Sequence, residues 1–168
     1  MSVVACRVTE KGYTIAADSI TVYGYTQRKG DGTDYSKLFE VNGLLVGGVG
    51  KAEETSLFHL FAKTRRPSVP TEGALLEFLS EFAEWKKKKV GTDGLNNHYI
   101  IGIDDTVFSV NGWHIHNVTN FDAIGAGFEY ALAALHLDHS PEEAVKVAIE
   151  LCIYCEGPVQ VLRREVAA

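Results

Sequence analysis

The sequence predicts an α+β protein built as a four-layer αββα sandwich, two stacked antiparallel sheets flanked by helix pairs. Two observations carry this. The opening runs, Val3 to Val8 and Tyr13 to Ala17, are apolar on both faces, the pattern of strands covered on each side. The rest of the chain reads as strands, two helices, strands, two helices and a last strand, so each helix pair can cover one sheet. The 168 residues suffice for one domain with a sizeable core, and no repeat, linker or low-complexity stretch divides them.

The two opening runs flank a polar turn containing Gly12 and form a hairpin. With Glu10 and Lys11 at its tip, Ser2 faces Ser19 and Val3 faces Asp18. The first hydroxyl then lies about one strand spacing, roughly 4.8 Å, from a carboxylate. Chain starts are normally frayed and exposed, whereas this one is predicted buried. Thr21 to Tyr35, Gly- and Tyr-rich with several charges, reads as a loop or flap. A second hairpin pairs Lys37–Val41 with Leu44–Val49 around Asn42-Gly43, the strongest short hairpin signal. On its first strand Lys37, Phe39 and Val41 share a face.

Helices are predicted from about Ala52 to Lys63 and from about Thr71 to Lys88, the second with Leu75, Leu76, Leu79, Phe82 and Ala83 on one stripe. Its basic end, Lys86 to Lys89, suits the negative end of the helix dipole. Strands follow at His98–Ile103, Thr106–Val110 and Trp113–Val118. A third helix runs from Phe128 to about Leu137. The fourth starts at the capping box Ser140-Pro141-Glu142-Glu143, and Val159–Leu162 is the last strand.

The composition bounds the function. A formal net charge of −6 argues against a nucleic-acid partner. No run has the length of a membrane span, and no charged leader precedes an apolar stretch. Three cysteines without a framework pattern fit a reducing cytosol, so the expected location is cytoplasmic.

The chemistry centres on Ser2. Removal of Met1, usual before a small residue, leaves Ser2 with a hydroxyl and a free α-amine. The amine has a reference pKa of about 8, within reach of a general base at working pH. Nucleophile and base would then share one residue. Lys37 is the candidate for a cation beside the hydroxyl, and Asp18 is the carboxylate available to pair with it. Gly47 or Gly48 can offer a backbone N–H to an oxyanion. Singly, each residue has an ordinary reading: a serine after the initiator, a solvated lysine, an aspartate capping a turn. Their combination carries the inference. If Met1 stays attached, Ser2 has an amide and the base is absent.

The spacing of Ser2 to Asp18 (VVACRVTEKGYTIAADS), the SKLFEV strand with Lys37 and the GGVG-to-helix join resemble the proteasome β-subunit and bacterial HslV-type family of N-terminal-nucleophile hydrolases. DAIGAGFEYALAAL and ELCIY are similar to that family's Gly-Ser-Gly helix start and its Asp-Ile-Cys-Val-Tyr segment. The resemblance spans nearly the whole chain. It implies Ser2 as nucleophile, Asp18 and Lys37 as its supporting pair and Gly47 as oxyanion donor. Ala126 stands where the family has a serine, and Glu150 matches its later aspartate. Also implied are a polypeptide substrate, a homo-oligomeric ring with a ring ATPase as partner, and no metal or organic cofactor. Two other functions remain open: a non-catalytic ring subunit, and an amidohydrolase acting on small amides.

Weaker signals have plainer readings. Cys152 and Cys155 form a C-x-x-C, read as two buried small residues near a helix end. His114 and His116 share a strand side without a third ligand at metal spacing, so a surface role is expected.

Overall fold

The computed structural model describes residues 1–29 and 36–166. Its first hairpin joins β1 (Val3–Thr9) to β2 (Gly12–Ala17), with Val4 opposite Ala17 and Cys6 opposite Ile15, the expected register. The segment expected to be a loop instead opens with a ribbon, β3 (Ile20–Tyr23) and β4 (Thr26–Lys29), paired with neither large sheet. Ile20, Thr21 and Val22 are β-branched and favour extension. Gly24 takes the positive φ of +59° that the tight turn requires. Residues 30–35 of that expected loop lie outside the described residues.

The second hairpin, β5 (Leu38–Val41) and β6 (Leu44–Val49), turns on Asn42 and Gly43, both at positive φ. This is the backbone of a two-residue hairpin loop whose twist matches its strands. β5 begins one residue later than predicted, which leaves Lys37 just ahead of the strand. After α1 (Ala52–Ala62) and α2 (Glu72–Val90) come β7 (His98–Ile103), β8 (Thr106–Asn111), β9 (His114–Asn117) and β10 (Phe121–Gly125). Then follow α3 (Phe128–His136), α4 (Pro141–Leu151) and β11 (Gln160–Glu165). The Ser140 hydroxyl accepts from the Glu143 N–H and the Glu143 carboxylate from the Ser140 N–H, a complete capping box. The C-x-x-C is not helical: Cys152 caps α4, and Cys155 lies in the turn beyond it.

The strands form two antiparallel sheets, ordered β10-β1-β2-β11 and β5-β6-β7-β8-β9. Three apolar clusters separate the layers. Phe58, Phe61, Phe78 and Phe82 of α1 and α2 pack on Val46, Tyr99 and Ile101 of the five-stranded sheet. Ala131, Leu135, Ala144 and Ala148 of α3 and α4 pack on Val3 and Ala5 of the four-stranded sheet. Between the sheets lie Val4, Cys6, Ile15, Leu38, Leu45 and Ile100. Each large aliphatic or aromatic side chain so buried contributes roughly 1.5–3 kcal/mol. The architecture is the expected αββα sandwich, and β1 sits inside its sheet with a helix layer on one face and the second sheet on the other. No helix among the described residues is long and apolar enough to cross a membrane.

Small residues set the approach of the layers. A side chain at Gly47 would meet Val4 Cγ1 at 2.6 Å and Leu38 Cδ2 at 2.9 Å, so the sheets close directly over its backbone. Replacing Ser140 with alanine removes one half of the capping box and is expected to lower stability by about 1 kcal/mol, measured as a shift of the urea unfolding midpoint at unchanged slope.

Candidate active site

Four backbone segments meet where β1 starts. Asp18, fully buried, directly follows β2. Its carboxylate accepts from the Val3 N–H (Oδ1, 3.0 Å) and from the Glu156 N–H (Oδ2, 3.2 Å). Its own N–H donates to the Val3 carbonyl at 3.2 Å. The Lys37 ammonium lies 3.1 Å from Asp18 Oδ1 and also donates to the Ile20 carbonyl. Lys37 is 8% exposed, and its carbonyl accepts from the Gly48 N–H at 3.0 Å. Burial pulls the Lys37 pKa below the ordinary lysine value, while the charge and hydrogen bond of Asp18 oppose that shift.

Ser2 is buried at the same place, its carbonyl accepting from the Gly127 N–H at 3.1 Å. Its φ of +135° is one that side-chain-bearing residues rarely adopt. Gly125, at φ +99°, presses so close that a side chain there would collide with the Ser2 carbonyl. Met1 is exposed. Met1, Ser2 and Lys37 line a cleft of about 840 Å³, together with Ile20 to Tyr23, Phe39, Gly48, Gly50 and the α1 face bearing Thr55, Ser56 and His59. His59 stacks on Phe39 with ring centroids 4.7 Å apart. Burial, then the charge of Lys63, lowers the His59 pKa.

Ser2, Asp18 and Lys37 are therefore brought together as expected from the sequence. Three other candidates stand differently. Gly47 does not line the cleft, because β6 turns it toward the inter-sheet core, and Gly48 and Gly50 form the cleft edge instead. Ala126 is exposed between the two glycines that contact the Ser2 carbonyl, and it brings no hydroxyl. Glu150 is exposed on the outer side of α4 and makes no part of the cleft.

A residue that was not expected at the site, Cys155, is buried within electrostatic reach of Asp18 and Lys37. Burial, then the charge of Asp18 and the contact with Cys152, pushes the Cys155 thiol up to about 12, while Lys37 pulls the other way. That thiol is thus kept neutral beside the ion pair. The signal was present in the C-x-x-C, whose second cysteine directly precedes the Glu156 N–H that binds Asp18. His114 and His116 have ring centroids 5.5 Å apart, with His116 Nε2 3.4 Å from Asp122. No group of three or more His, Cys, Asp or Glu among the described residues is placed to hold a metal ion.

Two sheets between helix pairs, with a buried serine, lysine and aspartate at the start of the first strand, define the N-terminal-nucleophile hydrolase architecture. No family model matches the chain. The ATP-dependent protease subunit HslV of a Nitratiruptor species is 28% identical over 174 residues, covering 90% of this chain and 90% of that protein. Thiobacillus denitrificans BPH superposes with a TM-score of 0.88 at 20% identity, over 98% of each chain. Eukaryotic HslV from Trypanosoma brucei gives 0.73 at 15% identity, over 97% of this chain and 99% of that one. In sequence the chain is similar to an HslV-type protease subunit over nearly its whole length, and it shares the fold of the proteasome/HslV-type N-terminal-nucleophile hydrolases.

Lys37→Ala leaves the Asp18 carboxylate in the core with two backbone donors and no counter-charge. Loss of about 3–5 kcal/mol is expected. Chemical denaturation of the two proteins side by side checks it.

Proposed function

We propose that the chain is a peptidase of the HslV-like protease family in which Ser2, freed of Met1, is the nucleophile. Ser2 Oγ attacks the peptide carbonyl, and its own α-amine takes the hydroxyl proton and later gives it to the leaving amine. Lys37 stabilises the developing alkoxide, and Asp18 holds Lys37 against the Ile20 carbonyl. The observation that carries this reading is the Lys37–Asp18 pair, dehydrated and locked to the Val3 amide at the very residue that follows Ser2. Gly48 and Gly50 edge the cleft, and because the Gly48 N–H already donates to the Lys37 carbonyl, the oxyanion donor expected at Gly47 is assigned instead to the Gly50 amide. The strained φ at Ser2 exists only while Met1 is attached, since a free amine has no preceding carbonyl, so loss of Met1 relieves it.

The HslV relative is an ATP-dependent protease subunit. That supports polypeptide substrates, a homo-oligomeric ring and a ring ATPase as partner. A non-catalytic ring subunit is the competing reading, favoured by Ala126, which has no hydroxyl to offer the amine.

Because the Thiobacillus relative was solved with epoxomicin, that compound and a peptide β-lactone are the first probes. The expected result is a chain lacking Met1 by mass, with an adduct mapped to Ser2 and none on Ser2→Ala. An intact Met1 with no adduct excludes the peptidase. The rate should rise with pH as the α-amine loses its proton, around pH 8. It should then fall below the ordinary lysine value of about 10.4, because burial makes Lys37 surrender its charge early. A pH–rate profile without that alkaline fall removes the ammonium from the mechanism.

A further inference from the structure

We propose that Asn97, which touches neither Ser2 nor Lys37, is the positioning residue that fixes the glycine edge of the cleft. This inference rests on the peptidase reading. Gly50, just past the end of β6, has little rigidity of its own, yet an edge that polarises a carbonyl must be held in place before the reaction. The structure supplies that restraint from outside β6. Asn97 is fully buried and immediately precedes β7. Its side-chain amide pairs with both backbone groups of Lys51: Oδ1 accepts from the Lys51 N–H at 2.7 Å and Nδ2 donates to the Lys51 carbonyl at 2.8 Å. The second Nδ2 hydrogen goes to Thr55 Oγ1 at 3.1 Å. The amide therefore acts as one residue of a strand partner where the β6 ladder has ended. Gly50, at φ +130°, packs onto it so tightly that any side chain would strike Asn97 Oδ1.

Asn97 is itself held. Its N–H donates to Glu54 Oε1 at 2.9 Å, and Glu54 also accepts from Lys86 Nζ (2.6 Å), the Asn96 N–H (3.1 Å) and the Tyr99 hydroxyl (3.2 Å). Glu54 and Lys86 are 4% and 1% exposed, an ion pair deep in an otherwise apolar helix layer. Such a pair is seldom worth more to stability than well-packed apolar side chains. What it achieves here is direction: α2 fixes Glu54, Glu54 fixes Asn97, and Asn97 fixes Gly50 and Lys51.

The test compares wild type, Asn97→Ser and Asn96→Ala on a fluorogenic peptide amide and a peptide β-lactone, with hydrogen exchange read at the Lys51 amide. Asn96 donates to Glu54 but does not reach the edge, so it controls for the network alone. Displacing a reacting group by about 1 Å costs on the order of a hundredfold. Asn97→Ser is expected to lower kcat and the acylation rate at least about tenfold, to leave KM within a few fold and to speed Lys51 exchange. Asn96→Ala is expected to keep wild-type rates. Should Asn97→Ser fail to fold, Asn97→Gln, whose amide is offset by one methylene, carries the same expectation. A folded Asn97 variant with wild-type kcat overturns the inference, as does a fall shared equally by Asn96→Ala. An inert wild-type chain instead sinks the peptidase reading and the positioning role with it.

Discussion

The contact between Lys37 and Asp18 is the constraint on which the rest of this structure turns. The layer between the two sheets is otherwise apolar, and an ion pair taken out of water there is costly unless every remaining valence is met. The chain meets them with backbone: Val3 and Glu156 amides on the carboxylate, the Ile20 carbonyl on the ammonium. Those partners come from β1, the turn after α4 and β3. The pair therefore sets where β1 begins, how close the sheets approach at that end and where the ribbon β3–β4 attaches. Ser2 inherits its position from this arrangement.

Much of that was legible in the sequence. Runs apolar on both faces placed β1 and β2 inside a sandwich, and the turn at Glu10–Lys11 set Val3 opposite Asp18. The Asn42-Gly43 turn and the Ser140 box fixed their elements by local chemistry that tertiary context had no cause to override. The helix pairs were readable because their apolar stripes, Leu75 to Phe82 for instance, need a sheet to cover.

Other features were illegible for equally physical reasons. Whether Gly47 or Gly48 edges the cleft depends on strand phase, and a glycine carries no side chain to report its face. The ribbon at residues 20–29 looked like a loop because its second strand, Thr26–Lys29, is polar on both faces. Cys155 and Asn97 act through neighbours more than a hundred and more than forty positions away, respectively, contacts that no local pattern encodes. Glu150 resembled the acidic residue of a family motif, but on the last turn of α4 it faces outward, exposed.

The four-stranded sheet ends on β11, whose outer half carries Arg163, Arg164 and Glu165. A free strand edge is a template for another strand, and charged side chains are what discourage that pairing. Arg163 reaches Glu142 on α4 and Arg164 reaches Glu40 on β5, so the border is guarded by cations tethered to the layers on either side. Joining a second copy there would mean stripping water from those guanidinium groups. Strand-to-strand stacking along this border is disfavoured from the outset.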